Sequence, residues 1–302
     1  MFMKLIKAIV VHCLLLLTVT ANAEDGLRLI NGKDADPKEF PASVWANLGG
    51  GLCTATVVGE RTAFIAAHCV RGITGFTFSV GPNKYKTTCQ TSKDYKNNST
   101  ADYSLCVIDK PVTGIVYEKI NIDETLVKVN DEVLLSGYGC IKSPGNGGND
   151  GTYRIGEAFV KSIPSGTNND IITNRGAALC YGDSGGPAFK VNKATGDRFV
   201  IATNSRGDIK TTSYLSATHT SQAKKFITEW SKSTGQKICG VHSDAVGCRG
   251  AVAPSPTPAP VQDTFQINHK VVSLSGKMGP GFEKYTADLV KILEDVLNKV
   301  EF

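Results

Sequence analysis

Between residues 43 and 205 the sequence consists of short apolar stretches, rich in β-branched residues, separated by turn-forming residues. Residues 76–80, 132–135 and 198–203 are such stretches, and residues 143–151 form one of the separating segments. The chain of 302 residues contains 31 glycines and 12 prolines, as expected for many turns. This pattern predicts an all-β domain of antiparallel strands, arranged as barrels or a sandwich.

The hydrophobic period changes near the end of this region. Within residues 221–232, Ala223, Phe226, Ile227 and Trp230 are spaced three or four apart. This spacing places them on one face of a helix. We therefore expect a C-terminal helix after the β domain.

A separate tail is predicted beyond the main domain. In residues 251–262 prolines alternate with small residues, which is typical of a stiff, extended linker. Residues 263–302 form the tail, and an apolar stripe within it predicts an amphipathic helix. The stripe consists of Phe282, Tyr285, Leu289, Ile292, Leu293, Val296, Leu297 and Val300. Such a helix either packs on the protein itself or docks on a partner or a membrane.

The first 23 residues have the pattern of a secretory signal peptide. Lys4 and Lys7 precede a nearly continuous apolar run at residues 8–19, and residues 21–23 are Ala-Asn-Ala. The apolar run is short for a membrane span. We expect the leader to be removed and the protein to be exported, into the extracellular medium or the periplasm.

Cysteine content fits this compartment. The chain has nine cysteines, of which Cys13 lies in the leader, so eight remain in the exported protein. An even number in an oxidising compartment predicts disulfides. No CxxC pair occurs and the five histidines are scattered, so we expect no metal site. The eight are Cys53, Cys69, Cys89, Cys106, Cys140, Cys180, Cys239 and Cys248.

The charge balance argues against nucleic acid as a partner. There are 33 Lys and Arg residues against 28 Asp and Glu, a net charge of +5. A nucleic-acid-binding protein normally concentrates its basic residues in a stripe, which this sequence lacks.

A glycine-rich loop carries the strongest chemical signal. Residues 182–187, Gly-Asp-Ser-Gly-Gly-Pro, place Ser184 in a sterically open turn. A serine nucleophile needs a neighbouring base, and that base needs an orienting carboxylate. The chain offers His68 within Ala-Ala-His-Cys and Asp102 ahead of an apolar stretch.

These residues, in the order His68, Asp102, Ser184, closely resemble the chymotrypsin-like (trypsin-like) serine endopeptidases. The resemblance runs from about residue 28 to residue 230 and includes Leu-Ile-Asn-Gly at 29–32 and Ser-Gly-Tyr-Gly at 136–139. It implies two antiparallel six-stranded β-barrels with the active site between them, and a protease domain spanning residues 29–250.

The resemblance also implies roles for single residues. Ser184 would attack the scissile carbonyl, His68 would take and return the proton, and Asp102 would orient the imidazole. The backbone N–H groups of Gly182 and Ser184 would form the oxyanion hole. Residues 205–207 would pair with the substrate backbone, so protein or peptide substrates are implied, and no cofactor is.

Activation by proteolysis is implied as well. Cleavage after Arg28 would remove a propeptide of residues 24–28 and create an α-amino group on Leu29. That group would pair with Asp183 and order the site. Leucine replaces the family's usual isoleucine at 29, and Asn31 replaces a glycine.

Specificity is expected to differ from that of trypsin. Ala178, followed by Leu179, stands where an Arg- or Lys-directed enzyme carries a carboxylate. Gly207 would leave one wall of the pocket open, and Thr212 would narrow the other. The pocket would thus prefer medium-sized apolar residues, and a separate protease would have to cut after Arg28.

Arg206 takes the place of the family's usual cleft aromatic residue. Two interpretations remain open. Arg206 either favours acidic groups further along the substrate, or pairs with its near neighbour Asp208.

Eight cysteines allow 105 pairings. The resemblance implies Cys53–Cys69 beside the histidine, and Cys140 replaces the missing downstream partner of Cys180. Cys89–Cys106 and Cys239–Cys248 remain by elimination. The overall expectation is a secreted serine endopeptidase. The alternatives are a non-catalytic binding protein on the same scaffold, or a protein whose tail carries the function.

Overall fold

In a computed structural model of the full chain, the described residues are 29–148, 150–250, 262–267 and 270–275. The chain divides into two compact units, Met1–Val252 and Ala253–Phe302. The expected leader, the propeptide and the amphipathic helix of the tail lie outside the described residues.

Strands dominate the first unit. In chain order they are β1 (Lys33–Asp34), β2 (Ser43–Asn47), β3 (Leu52–Gly59), β4 (Thr62–Ile65), β5 (Thr77–Val80), β6 (Asn83–Thr91), β7 (Ser104–Ile108), β8 (Lys119–Ile120), β9 (Glu132–Gly137), β10 (Cys140–Lys142), β11 (Asn146–Gly148), β12 (Arg154–Ser162), β13 (Asp170–Gly176), β14 (Pro187–Val191), β15 (Arg198–Gly207) and β16 (Ser213–Ala217). Two 3₁₀ helices, Ala67–Val70 and Lys93–Lys96, and one α-helix, α1 (Ser221–Thr234), complete the described part of the unit.

The strands form two closed six-stranded barrels, as expected. The first has the order β2-β3-β4-β7-β6-β5 and closes where Asn47 pairs with Thr77. The second has the order β9-β12-β13-β16-β15-β14, and β9 pairs with both β12 and β14. In addition, β1 pairs with β12 and β8 pairs with β15.

Each barrel encloses its own apolar core, and a third cluster joins the barrels to α1. Phe64 of the first barrel and Phe189 of the second lie in this cluster with Trp230 of the helix, and all three are buried. Truncating one large buried aromatic side chain typically costs about 3–5 kcal/mol. This cluster therefore fixes the relative position of the barrels and of the cleft between them.

Helix α1 agrees with the sequence prediction. Ala223, Ile227 and Trp230 face the protein and are buried. The Thr220 side chain caps the N-terminus by accepting a hydrogen bond from the Ala223 amide at 3.2 Å. Gly235, with φ of 69°, ends the helix. No helix among the described residues is long and apolar enough to cross a membrane.

All four expected disulfides are formed: Cys53–Cys69, Cys89–Cys106, Cys140–Cys180 and Cys239–Cys248. Cys89–Cys106 joins directly paired residues of β6 and β7. Cys140–Cys180 links the end of the Ser-Gly-Tyr-Gly turn to the segment that precedes Ser184.

The second unit contains a hairpin that the sequence analysis did not predict. Strands β17 (Gln262–Ile267) and β18 (Lys270–Ser275) pair antiparallel, from Gln262 opposite Ser275 to Ile267 opposite Lys270. The signal was present in the apolar residues Phe265, Ile267, Val271 and Val272, which favour strands. Gln262, the last residue of the predicted linker, is the first residue of β17.

Candidate active site

The histidine and the aspartate are both supplied by the first barrel. His68 lies in the 3₁₀ helix Ala67–Val70, which follows β4, and Asp102 lies just before β7. Because β4 and β7 are neighbours in the barrel, the two segments meet at one end of this strand pair. His68 Nδ1 lies 2.7 Å from Asp102 Oδ2, and the His68 amide donates to Asp102 Oδ1 at 2.8 Å.

These two contacts hold the imidazole in one orientation. The Asp102 side chain is 3% exposed, whereas that of His68 is 34% exposed. A buried carboxylate on Nδ1 keeps the proton on that nitrogen. The other ring nitrogen, Nε2, then has a free lone pair and can accept a proton.

Ser184 comes from the second barrel, in the turn that leads into β14. This turn approaches the first barrel so closely that the Thr54 amide donates to the Ser184 carbonyl oxygen at 2.8 Å. Gly185 has φ of +80°, and a Cβ there would lie 2.5 Å from the Thr54 carbonyl oxygen. Glycine is required at 185 because both the backbone conformation and the space exclude a side chain.

One cleft between the barrels brings the three residues together. It has a volume of about 450 Å³, and His68, Asp102 and Ser184 all line it. In the described part of the chain no hydrogen bond joins the Ser184 hydroxyl to the His68 ring, and Cys69 Sγ lies 3.8 Å from His68 Nε2. The Ser184 hydroxyl and the imidazole are thus held in one cavity by separate barrels.

The amides expected to form the oxyanion hole face no internal acceptor. Among the described residues, neither the Gly182 nor the Ser184 N–H donates a hydrogen bond. The Gly182 carbonyl oxygen accepts a hydrogen bond from Thr54 Oγ1 at 2.9 Å. Thr54 Oγ1 also accepts from the Tyr138 amide at 3.0 Å. A side chain of the first barrel therefore supports the turn beside these two amides.

Asp183 is fully buried beneath this turn. Its Oδ1 accepts from the Gly139 amide at 2.8 Å, and its Oδ2 accepts from the Cys180 amide at 2.9 Å. Burial raises the pKa of this carboxyl group to about 7, and the two amide hydrogen bonds offset only part of that rise.

The segment that follows the expected cleavage point is inserted into the second barrel. Leu29 is fully buried with the barrel's core residues, and Ile30 pairs with Ala178. Asn31 Nδ2 donates to the Gly176 carbonyl oxygen at 3.0 Å, so the asparagine at this position has a partner of its own. Arg28 lies outside the described residues.

The cleft lining agrees with only some of the expected substrate-contacting residues. Leu179, Ser205, Arg206 and Gly207 line it. Ala178 and Thr212 do not belong to this lining. Five further residues do: Tyr95, Ser99, Cys180, Tyr181 and Ile209.

The positions of Ala178 and Thr212 explain the difference. Ala178 is fully buried behind the wall, in a cluster with Ile30 and Cys180 against which Ile209 packs. The Thr212 amide donates to Asp208 Oδ1 in a tight turn. Ile209, from the same loop as Thr212, lines the cleft. Ile209 has a positive φ of 57°, and a loop residue of this kind leaves no periodic signal in sequence.

Arg206 does not pair with Asp208, whose carboxylate accepts from the amides of the turn at 210–212. The guanidinium instead forms an ion pair with Asp170 of β13 and lies over the Tyr214 ring at 4.7 Å from its centre. Sequence proximity suggested the wrong partner because the pair is made across the sheet.

Among the described residues, Cys53, His68 and Cys69 form one cluster of side chains of the kinds that bind metal ions. The two cysteine sulfurs are joined in a disulfide. They therefore cannot act as thiolate ligands.

Comparison with known families agrees with this architecture. The family model described as Trypsin matches residues 29–227, the region that contains both barrels and every residue placed in the cleft. Trypsin-family domains are serine protease scaffolds that act on proteins or peptides. With the family match extending over about two-thirds of its length and with two six-stranded barrels around a shared cleft, the chain belongs to the trypsin family.

Proposed function

We propose that the protein is a secreted serine endopeptidase that hydrolyses peptide bonds through Ser184, His68 and Asp102. The observation that supports this most directly is the 2.7 Å contact between His68 Nδ1 and the buried Asp102 carboxylate, at the edge of a cleft that Ser184 also lines. A buried carboxylate, an oriented imidazole and a serine are the three parts of this type of catalysis.

In this mechanism His68 Nε2 accepts the Ser184 proton while Ser184 Oγ attacks the carbonyl carbon of the peptide. His68 then donates that proton to the leaving amine, and an acyl-enzyme forms on Ser184. Water, activated by the same imidazole, releases the acid product. Asp102 stays ionised and stabilises the imidazolium. The Ser184–His68 hydrogen bond would tighten with substrate bound, as such contacts often do.

The amides of Gly182 and Ser184 would stabilise the oxyanion. Both N–H groups lack acceptors among the described residues, which leaves them available to a substrate oxygen. One such donor typically contributes about 3 kcal/mol to lowering the barrier.

We propose a preference for medium-sized apolar residues before the cleaved bond. Leu179, Cys180 and Ile209 make the wall of the cleft apolar, and among its described lining residues the one acid, Asp102, already binds His68. No lining carboxylate is therefore left for a substrate Lys or Arg. Residues 205–207 would pair with the substrate backbone as an added antiparallel strand.

We also propose synthesis as a zymogen. Asp183 is buried with two amide partners and a raised pKa, and among the described residues no cation forms a direct ion pair with it. Cleavage after Arg28 by another protease would supply the α-amino group of Leu29, which lies in the same barrel. Export through the leader at residues 1–23 is proposed on the sequence pattern, and four disulfides fit an oxidising compartment.

The test uses protein cleaved after Arg28 with an immobilised Arg-directed protease that is then removed. It is incubated with a diverse peptide mixture, and the products are identified by mass spectrometry. A Ser184→Ala protein, treated identically, reports any carried-over protease. We expect cleavage after apolar residues in the active protein and none in the control.

Three other results would change the proposal. Cleavage after Lys or Arg, absent in the control, would retain the peptidase and overturn the pocket assignment. No cleavage by correctly processed, folded protein would favour a binding protein on this scaffold. Full activity of an uncleaved Arg28→Gln protein would contradict the proposal that the protein is made as a zymogen.

A further inference from the structure

Arg206 lines the cleft and contacts Ser205, which in turn contacts Asp102. It follows Ser205 in β15, lines the cleft, and is 42% exposed at its side chain. Its Nη2 pairs with Asp170 Oδ2, and its Nη1 donates to Ser205 Oγ at 3.3 Å.

The strand register explains why Asp170 and Arg206 meet. On β16, Ser216 pairs with Asp170 of β13, and Tyr214 pairs with Arg206 of β15. Because Ser216 and Tyr214 are two residues apart, their side chains and those of their partners lie on one face of the sheet. Asp170 and Arg206 therefore reach each other across β16, over the Tyr214 ring.

Ser205 connects this ion pair to Asp102. Ser205 Oγ donates to Asp102 Oδ2 at 2.6 Å, the oxygen that also contacts His68 Nδ1. The same Ser205 Oγ accepts from Arg206. A continuous chain of contacts thus runs from Asp170 through Arg206 and Ser205 to the Asp102 carboxylate.

Arg206 provides the positive charge that pairs with the buried Asp170 carboxylate. Asp170 is 2% exposed, and its second carboxylate oxygen, Oδ1, has no side-chain or backbone donor among the described residues. Burial raises the pKa of Asp170, and the Arg206 cation opposes that rise. An ionised buried carboxylate with one cationic partner holds that partner firmly, because separating them leaves a buried charge.

We propose that Asp170 and Arg206 are positioning residues for the catalytic pair: Asp170 holds the guanidinium against Ser205, and the guanidinium stabilises the ionised Asp102 and disfavours the imidazolium of His68. The effect on catalysis rests on the proposed peptidase function. The effect on the titration of His68 does not.

Other charged and titratable groups face the same region. Tyr95, from the 3₁₀ helix Lys93–Lys96, lines the cleft. Burial raises the pKa of its hydroxyl, the Asp102 charge adds to that rise, and Arg71 and Arg206 oppose it. Tyr95, Arg71 and Asp102 are unchanged in the variants below, so differences between variants report the Asp170–Arg206 pair.

The direct test is the titration of the His68 ring, followed by NMR in the full chain. The chain has five histidines, and a His68→Gln protein identifies the resonance that belongs to residue 68. Wild type is compared with Arg206→Met, Arg206→Lys and Asp170→Asn. Adding or removing one charge several ångströms from the imidazole shifts the midpoint of its titration by about half a pH unit.

The expected shifts have opposite signs. Arg206→Met removes the positive charge of the pair, so the midpoint of the His68 titration rises. Asp170→Asn leaves the cation without its counter-charge, so the midpoint falls. Arg206→Lys retains the charge and stays closer to wild type than Arg206→Met. If Asp170→Asn does not fold, the comparison of Met with Lys at position 206 decides alone.

Equal His68 midpoints in all folded variants would overturn the proposal, even if their thermal stability fell. In active protein the acidic limb of kcat/KM should move in the same directions as the NMR midpoints. The protein could show the opposite His68 midpoint shifts in Arg206→Met and Asp170→Asn and yet cleave no peptide. That result would support the inference and reject the proposed function, so the two failures are distinguishable.

Discussion

Asp183 Oδ1 lies 2.8 Å from the Gly139 amide nitrogen, so the carboxylate next to the serine is bound to the turn that follows β9. The two residues are in such close contact that a Cβ at position 139 would lie 2.5 Å from Asp183 Cγ. This contact couples the shape of the Ser184 turn to a glycine 44 residues earlier.

Gly139→Ala should therefore disturb the Ser184 turn. The added methyl group collides with a buried carboxyl and with the Asp183 backbone nitrogen at 2.7 Å, neither of which can move freely. We expect a loss of about 2–3 kcal/mol in stability, measured by urea unfolding, and a larger proportional loss of peptidase activity. Gly50→Ala is the matched control, since a Cβ there meets nothing within 4 Å. An unchanged Gly139→Ala protein would contradict the tight packing.

The uncleaved protein should lose stability as the pH rises from about 4 to about 7. Burial raises the folded-state pKa of Asp183 to about 7 from its ordinary value of 3.8. The folded state therefore binds more protons than the unfolded state in this window, and its stability falls as Asp183 ionises. Over the whole window the loss is at most about 4 kcal/mol.

Urea unfolding at pH 4.5 and 7.5 measures this effect, with Asp183→Asn as the comparison. The asparagine variant should show a smaller decrease, because it cannot ionise. Protein cleaved after Arg28 should also lose less stability than the precursor. Identical pH profiles for wild type and Asp183→Asn would show that Asp183 does not titrate in this range.

Thr54 and Thr56, two residues apart on β3, offer a paired test of a buried hydroxyl. Thr54 Oγ1 donates to Gly182 and accepts from Tyr138, whereas Thr56 Oγ1 is buried without a partner among the described residues. Replacing Thr54 with the isosteric Val removes both contacts. The expected cost is about 1–3 kcal/mol, together with reduced kcat because the Gly182 turn loses its support.

Thr56→Val should be neutral or stabilising, since it removes only an unpaired polar group. Thermal unfolding of both variants, under the same conditions, measures the contrast. Equal destabilisation by the two substitutions would mean that the hydroxyl contacts of Thr54 contribute nothing specific.

Removing the acid from a buried ion cluster should destabilise the fold strongly. Glu118 is fully buried and contacts two guanidinium groups, Arg198 Nη2 at 2.6 Å and Arg249 Nε at 3.1 Å. Glu118→Gln leaves two buried cations without a counter-charge. Breaking such a cluster costs about 3–5 kcal/mol, measurable by urea unfolding.

The matched control is Glu229→Gln, which removes the exposed contact between Lys225 and Glu229 at 4.0 Å. Exposed pairs of this kind contribute little, so no measurable change is expected. A Glu118→Gln protein as stable as this control would show that the two guanidinium groups do not need the Glu118 charge.

Local patterns in the sequence were sufficient to predict much of the fold and of the candidate site. The glycine-rich turn around Ser184, the Ala-Ala-His-Cys segment around His68 and the helical spacing near Trp230 each depend on residues close together in the chain. Backbone conformation and hydrophobic period act over a few residues, so such features can be predicted from sequence. The four disulfide pairs also formed as expected.

The tertiary structure alone decided which distant side chains meet. Arg206 pairs with Asp170, 36 residues away, and not with the nearby Asp208, because the register of three neighbouring strands brings residues 170 and 206 to one face of the sheet. Ile209, a loop residue with positive φ, lines the cleft although the sequence analysis did not single it out. Strand register and loop conformation depend on the packing of the whole barrel, and no local pattern in this sequence encodes them.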